Sequence, residues 1–387
     1  MKHQKSLIEH FSMVNDPRLD RKKRHNLIDI IVLSVCGVIC GCESFVEIEQ
    51  YGLDKQTWLK TMLLLPGGIP SHDTLGRVFA LINPQEFQQA FYQWAQTLVS
   101  IQGEFISIDG KYIKSSHGAT GNSKSIFGMV NAWASHAGVA LAQLRTDYEK
   151  TGEKQAFREL IDLLELEGAT VTMDANGAHA DITNRVVEKK GDFVVGLKKN
   201  QKSLYENGQR LLESAAAEDV SSIEIAESGH GRLEKRKCEA VNLSAKFLTA
   251  LEKKNKQKDQ VPWKGLGSVC RVTSERVVKG VKSVEQRYYL SSIAANAEKL
   301  LTAIRSHWGV ENNLHWTLDV SFNEDSCRVR NGFAGENLAV IRQLAFNLLK
   351  QENNSKKSMK TKRLACGWSN EYLEKVVMGM MPSNMVF

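Results

Sequence analysis

Hydrophobic positions follow a helical period over the first hundred residues. Phe87, Ala90, Phe91, Trp94, Ala95 and Leu98 recur at three- and four-residue spacing and form one apolar face. Asn83-Pro84-Gln85-Glu86 opens that helix with a capping residue, a proline at the first helical position and a glutamate at the third. A shorter helix over Asp73–Ile82 precedes it, after Pro66-Gly67-Gly68-Ile69-Pro70. The pair has the outline of a helix-turn-helix, yet Gln85 to Gln102 contains no Lys or Arg to hold phosphates, so a packing hairpin is expected. The apolar run Ile30–Cys42 is shorter than the roughly 20 residues that span a bilayer and predicts a buried helix, with no membrane partner.

From Phe105 the period changes to two. In Phe105–Asp109, Ile106 and Ile108 point one way and Ser107 and Asp109 the other. Ile126–Ser135 and Val139–Thr146 predict two more strands, joined at His136-Ala137-Gly138. A helix over Gln155–Glu167, a strand over Ala169–Asp174, a helix over Ala178–Lys190 and a strand over Asp192–Lys198 follow. This βββαβαβ order predicts an α/β fold: a mixed five-stranded sheet flanked by helices, the layout of the RNase H fold. On that topology the first and fourth strands are parallel neighbours, and Asp109 and Asp174 face one cleft.

The remaining pattern sets the domain boundaries: an all-helical N-terminal domain at 1–100, an α/β domain in two parts at 101–199 and 289–350, a β-rich insertion at 200–288, and a basic tail at 351–387. The insertion carries Gly229-His230-Gly231-Arg232-Leu233-Glu234-Lys235-Arg236, in which Arg232 and Arg236 either grip a nucleic-acid backbone or belong to an exposed charged loop. Lys356, Lys357, Lys360, Lys362 and Arg363 in the tail suit either a mobile nucleic-acid contact or solubility.

Composition narrows the class. With 387 residues, 42% hydrophobic and 25% charged, the chain is neither disordered, collagen-like nor a membrane bundle. Its net charge of +7 favours an anionic partner. The N-terminus lacks an apolar segment with a cleavage site, which predicts a cytoplasmic protein. Seven cysteines without a C-x-x-C pair predict reduced thiols, with Cys36, Cys40 and Cys42 as packing residues.

The candidate chemistry lies in carboxylates. In a helix beginning at Asn296, Leu301, Ile304, Trp308, Glu311, His315 and Leu318 share one face, which turns Glu311 inward. An inward carboxylate needs either an ion-pair partner, such as Arg305 or Arg342, or a metal. Asp109, Asp174 and Glu311 gathered in one cleft would repel one another unless a cation sat among them. Such a cluster predicts Mg²⁺ or Mn²⁺, and two ions about 4 Å apart suit in-line displacement at phosphorus. Gly177 after Asp174 permits a sharp turn into the next helix, where His179 either contacts substrate or caps the helix. Lys111 and Lys114 either bind phosphate or line a solvent-facing strand edge. Trp308 and Trp316 either stack on an extruded base or fill a core.

IDGKYIKSSHG at 108–118, TMDANGAH at 172–179 and IRSHWGVENNLHWTLDVSFNEDSCRVR at 304–330 together resemble the H-repeat-associated (Rhs-linked) insertion-sequence transposases, a branch of the DDE transposases. The likeness covers nearly the whole chain, including Pro70-Ser71-His72-Asp73-Thr74 and Glu336-Asn337-Leu338. It implies an RNase H-like catalytic domain with a β insertion, and Mg²⁺-dependent cleavage and 3′-OH strand transfer at the element's terminal repeats. The partner implied is double-stranded DNA, bound by a homodimer, and Asp109, Asp174 and Glu311 are implied as the DDE triad.

Better-studied relatives carry Y-x2-R-x3-E-x6-K around the glutamate, where this chain has Ile304, His307 and Leu318. The missing phosphate contacts then fall to Arg305, His307, Arg328 or Arg330. Asp319, Glu324 and Asp325 are rival third carboxylates, Glu324 foremost. A DNA-binding remnant without catalysis and a host nuclease of the same fold are the alternative functions.

Overall fold

A computed structural model describes residues 6–113, 127–147, 150–229, 232–257, 261–278, 280–353 and 355–378. Helices α1 (Leu7–Phe11), α2 (Leu27–Ile39), α3 (Phe45–Asp54), α4 (Gln56–Leu59), α5 (His72–Leu81) and α6 (Pro84–Gln96) precede strands β1 (Phe105–Tyr112), β2 (Phe127–Ala134) and β3 (Val139–Asp147). Then come α7 (Lys150–Leu163), β4 (Thr170–Met173), α8 (Ala180–Glu188), β5 (Asp192–Leu197) and α9 (Lys202–Ser214). The insertion holds β6 (Ser221–Gly229), β7 (Arg232–Asn242), α10 (Ala245–Gln257), β8 (Ser268–Val278) and β9 (Val281–Ser291). Helix α11 (Ala297–Gly309), a π turn at Val310–His315, α12 (Trp316–Phe322), α13 (Ala334–Gln351), α14 (Met359–Trp368) and α15 (Asn370–Val377) complete the order.

The strands form one mixed sheet in the order β3-β2-β1-β4-β5-β9-β8-β7-β6. The βββαβαβ order is present, but the sheet has nine strands and not the expected five. The insertion continues the sheet: β9 pairs antiparallel with β5 from Val194↔Ser291 to Leu197↔Tyr288, and β8, β7 and β6 extend it by antiparallel pairing. This adds backbone partners for β5, which would otherwise be an open edge.

By its internal contacts the chain divides into two units. The first comprises Met1–Ser100, Gly110–Glu153 and Glu311–Phe387, and the second Ile101–Asp109 and Lys154–Val310.

The first unit is organised around α13, which is apolar on nearly every side and buried from Ala334 to Leu349 except at Glu336. Its polar residues close backbone groups. Asn337 donates to the carbonyls of Phe79 and Ile82 at the end of α5, at 2.8 and 3.0 Å. Asn347 exchanges two hydrogen bonds with Ala140, at 2.9 and 2.8 Å, and so covers the free edge of β3 as a strand would. Helices α5 and α6 pack through Phe79, Phe87 and Phe91, each fully buried, in keeping with a packing hairpin.

The basic tail proves partly internal. Arg363 donates twice to the Val38 carbonyl, and Lys362 donates to the Leu349 carbonyl. Both side chains are buried, because helix ends leave carbonyls that need donors.

In the second unit, α11 lies against the sheet. Ala297, Leu300, Leu301, Ala303 and Ile304 pack on Phe105, Val194, Cys238, Ala240, Cys270 and Val272. No described helix is long and apolar enough to cross a membrane.

Candidate active site

In the second unit, parallel pairing of β1 and β4 aligns Ser107 with Thr172 and Ile108 with Met173. One step beyond the last paired residues stand Asp109, within β1, and Asp174, directly after β4, at the carboxyl end of the parallel pairing, where α/β sheets bind ligands. Both are partly exposed.

Asp174 Oδ1 accepts the Asn176 N–H at 2.8 Å, which opens a 3₁₀ turn at Ala175–Gly177 and fixes the carboxylate. Asn200 donates to the Ala175 carbonyl at 2.8 Å and Gln201 to the Ala178 carbonyl at 2.9 Å, so this turn is held from a second loop. Gly177 serves by close approach: a Cβ there would lie 2.6 Å from the Met173 Cβ.

His179 occupies the capping position of α8, but its ring makes no capping bond. Burial, with Lys154 and Arg158, holds its pKa below the usual histidine value against the pull of Asp181.

His307, on α11, meets this pair from above the strands. Its Nδ1 lies 3.1 Å from Thr172 Oγ1, which lies 3.0 Å from Ser107 Oγ, which lies 3.3 Å from the Ser306 carbonyl. Burial lowers the His307 pKa, against the opposing effect of the Asp174 charge.

Arg305 is paired with Glu227 at 2.6 Å, and Arg236 with Glu227 at 2.9 Å and Glu234 at 2.7 Å. The Arg232 side chain lies outside the described residues. Trp308 is 44% exposed, with the Arg287 guanidinium 5.0 Å from its ring centre, so it is not a core residue.

In the first unit, Glu311 is solvent-exposed, contrary to the inward placement expected of a regular helix. The chain passes through a π turn at Val310–His315, and the buried face runs through Val310, Leu314, His315, Thr317 and Leu318, so Glu311 falls beside that face and not on it, while Trp316 is 59% exposed. His315 is held by Asn131, whose amide donates to Nε2 at 3.1 Å, and Asn131 in turn accepts from Gln343 at 2.6 Å.

Lys111 does not present its ammonium to solvent. Its side chain is 9% exposed and pairs with Asp319 and, at 2.8 Å, with Glu324, whose own side chain is 3% exposed. Two of the rival third carboxylates are thus engaged by one lysine. Burial opposes the Lys111 charge, but the two acids outweigh it and raise its pKa. Burial also raises the Asp319 carboxyl, with Asp325 and Glu324 adding to it, because one ammonium serves several acids.

Glu153 is a carboxylate the sequence pattern gave no reason to single out. A Cβ at Gly110, the residue after Asp109, would lie 2.6 Å from its Oε1, so a larger residue there would displace the end of the Glu153 side chain. Lys114 lies outside the described residues. Arg328 and Arg330 are exposed, and Arg328 borders an open groove of ≈ 820 Å³ with Arg77, His72 and Glu43.

Among the described residues, no three His, Cys, Asp or Glu side chains are gathered closely enough to hold a metal. Asp109 and Asp174 by themselves fit a hard cation that keeps most of its waters and takes one or two carboxylates.

Comparison with known proteins gives the family of the chain. Residues 96–348 match the family described as Transposase DDE domain, and residues 8–95 match the family described as DDE_Tnp_1-associated. The chain belongs to the DDE transposases. Its place among the H repeat-associated members follows from its relatives. It is 34% identical to the "H repeat-associated putative transposase YhhI" of Escherichia coli K12, over 97% of this chain and 98% of that one. It is also 35% identical to the "Putative transposase YncI" of Escherichia coli O157:H7, over 96% of this chain and 94% of that one. A shorter relative, "Inactive transposase YbfQ" of Escherichia coli K12, is 42% identical over 19% of this chain and 88% of its own length.

Proposed function

We propose that the protein is a catalytically competent DNA transposase with an RNase H-like catalytic fold, acting on the two ends of an insertion-sequence-like element as a homodimer on double-stranded DNA. The observation that carries this reading is the parallel register of β1 and β4, which ends at Ile108↔Met173, one residue before Asp109 and Asp174, with the Asp174 carboxylate already oriented by the Asn176 N–H. Family resemblance adds Glu311 as the third carboxylate. Asp109 and Asp174 are the residues of the second unit that would hold Mg²⁺ or Mn²⁺, and such ions supply Lewis-acid stabilisation of the attacking and leaving oxygens in phosphoryl transfer.

Hydrolysis forms a bond from water oxygen to phosphorus and breaks the P–O3′ bond, leaving a 3′-OH and a 5′-phosphate. In the second step that 3′-OH attacks a target phosphodiester and displaces its 3′ oxygen. The chain's own contribution is orientation: β1 and β4 fix the spacing of the two aspartates, and the 3₁₀ turn fixes the rotamer of one. Substrate phosphates have candidate partners in His179, Arg236, Arg305, Arg328 and Arg330, of which Arg305 makes its present carboxylate contact, with Glu227, at an exposed and exchangeable position.

The test is Mg²⁺- or Mn²⁺-dependent cleavage of a linear duplex carrying the DNA that flanks this gene, comparing the native chain with Asp174→Asn at equal folded concentration. Cleavage that is lost in the variant, followed by joining of the 3′-OH to a second duplex, supports the reading. Cleavage without joining marks a nuclease. Absence of cleavage with salt-sensitive DNA binding retained marks a non-catalytic remnant, a reading given weight by the relative named as inactive.

A further inference from the structure

The hydrogen bonds beneath the aspartate pair have one possible direction. The Ser306 carbonyl can only accept, so the Ser107 hydroxyl donates to it. Ser107 Oγ therefore accepts from Thr172, and the Thr172 proton is committed to that bond. Thr172 Oγ1 can then only accept from the ring, so His307 carries its proton on Nδ1. In the neutral ring, Nε2 then carries the unprotonated lone pair. Ser107 and Thr172 stand two residues before Asp109 and Asp174 on their strands, hence on the same sheet face, and the Asp174 charge acts on the ring.

We infer that His307 orients the nucleophile: tied to Thr172 through Nδ1–H, it offers Nε2 as the hydrogen-bond acceptor for the O–H of the attacking water and then of the 3′-hydroxyl. The ring accepts a hydrogen bond and keeps its own protonation. The nucleophile's oxygen bonds to phosphorus and P–O3′ breaks; the nucleophile's proton passes to bulk water, and the departing O3′ takes a proton from bulk water to become the 3′-OH. The inference deepens the transposase reading and rests on it. It gives a role to a histidine that stands where better-studied relatives carry an arginine.

The tautomer is measured without any substrate, by long-range ¹H–¹⁵N correlation spectra of the ¹⁵N-histidine-labelled full chain, with His307→Gln supplying the assignment. The expected result is a protonated Nδ1 and an unprotonated Nε2 at neutral pH, with that pattern lost in Thr172→Val, which removes the acceptor at nearly constant shape. A ring protonated on Nε2 in the native chain overturns the inference even if cleavage proceeds.

Kinetics on the flanking-DNA duplex form the second arm. His307→Asn keeps a donor near Thr172 but has no acceptor at the Nε2 position, and is expected to slow single-turnover cleavage about 100-fold with DNA affinity unchanged. His307→Gln, whose side-chain oxygen reaches that position, retains more activity than the Asn variant. Equal rates for native, Asn and Gln chains overturn the role. Failure of the native chain to cleave at all, with the Nδ1 tautomer observed, overturns the transposase reading and the orienting role with it, while leaving the hydrogen-bond chain established.

Discussion

Lys111→Met tests whether the lysine two residues after Asp109 is a phosphate ligand or part of the first unit's interior. Its ammonium pairs with Asp319 and Glu324, and all but 9% of the side chain is covered. Removing one partner of a buried ion pair leaves uncompensated charge and costs about 3–5 kcal/mol. At about 1.4 kcal/mol per tenfold change, the unfolded population rises from about 10²-fold to several thousand-fold. The pH dependence has a definite sign. The Lys111 pKa is raised above 10.5, so its contribution is present below that value and lost as pH rises through the higher folded one. The Asp319 carboxyl is raised above 3.8, so its protonated form is favoured in the folded state, and acid relieves the cluster. In the variant the acids have lost this cation, and the deficit relative to the native chain is expected to narrow as pH falls through the carboxylate range. Urea unfolding at pH 8 and pH 5 reads this directly. Combining Lys111→Met with Glu324→Gln is expected to give non-additive losses, with a coupling of about 0.5–3 kcal/mol. An unchanged urea midpoint at pH 8, with weakened and less salt-dependent DNA binding, would refute the reasoning and return the ammonium to a phosphate.

Three further predictions concern other buried groups. Asn131→Leu deprives both His315 Nε2 and the Gln343 amide of their partner and is expected to cost about 2 kcal/mol in thermal unfolding; a loss within a few tenths of the native value would show the network is dispensable. Arg363→Ala removes two bonds to the Val38 carbonyl and a guanidinium 4.3 Å from the Phe322 ring centre, at a cost of about 2–3 kcal/mol, and Arg363→Lys should recover less than half because it lacks the planar fork. Burial pushes the Cys40 thiol up to about 11 and the Cys42 and Cys366 thiols up to about 12, so alkylation by iodoacetamide at pH 8, followed by mass spectrometry, should be more than about 10-fold slower than for an unburied cysteine and should accelerate with rising pH; equal rates at pH 8 would contradict this.

What could be read in the sequence was set by local periodicity. The alternation in Phe105–Asp109, the capping signal at Asn83 and the apolar run in α2 each announce an element within its own residues, and each element is present. Pairings between distant segments have no such signal. β5 and β9 meet in register almost a hundred residues apart, so the insertion's strands were visible while their membership of the sheet was not. Glu311 shows the limit from the other side. The spacing of Leu301, Ile304, His315 and Leu318 is correct for a buried face, but within the π turn at Val310–His315 the inward positions are Val310 and Leu314, and Glu311 stands one residue off them, a difference that spacing alone does not resolve. Such turns recur at functional sites because they re-aim one side chain while leaving the flanking helices packed.

The polar residues divide along the same line. Asp109 and Asp174 were identifiable because a parallel register, once the βββαβαβ order is granted, brings strand ends together. The partners of Lys111 and the chain from His307 to Ser306 were not, because each bond joins elements that only the folded molecule brings into contact. Ser107 is the instructive case. Its place on the Asp109 face follows from alternation alone, yet alternation gives a serine there no task. Only pairing with Thr172 turns it into the last acceptor but one in a directed chain, and direction is what fixes the proton on one nitrogen of His307. A neutral hydroxyl pair can thus set the hydrogen-bonding polarity of a ring beside two carboxylates without adding charge to a face that already carries two negative groups.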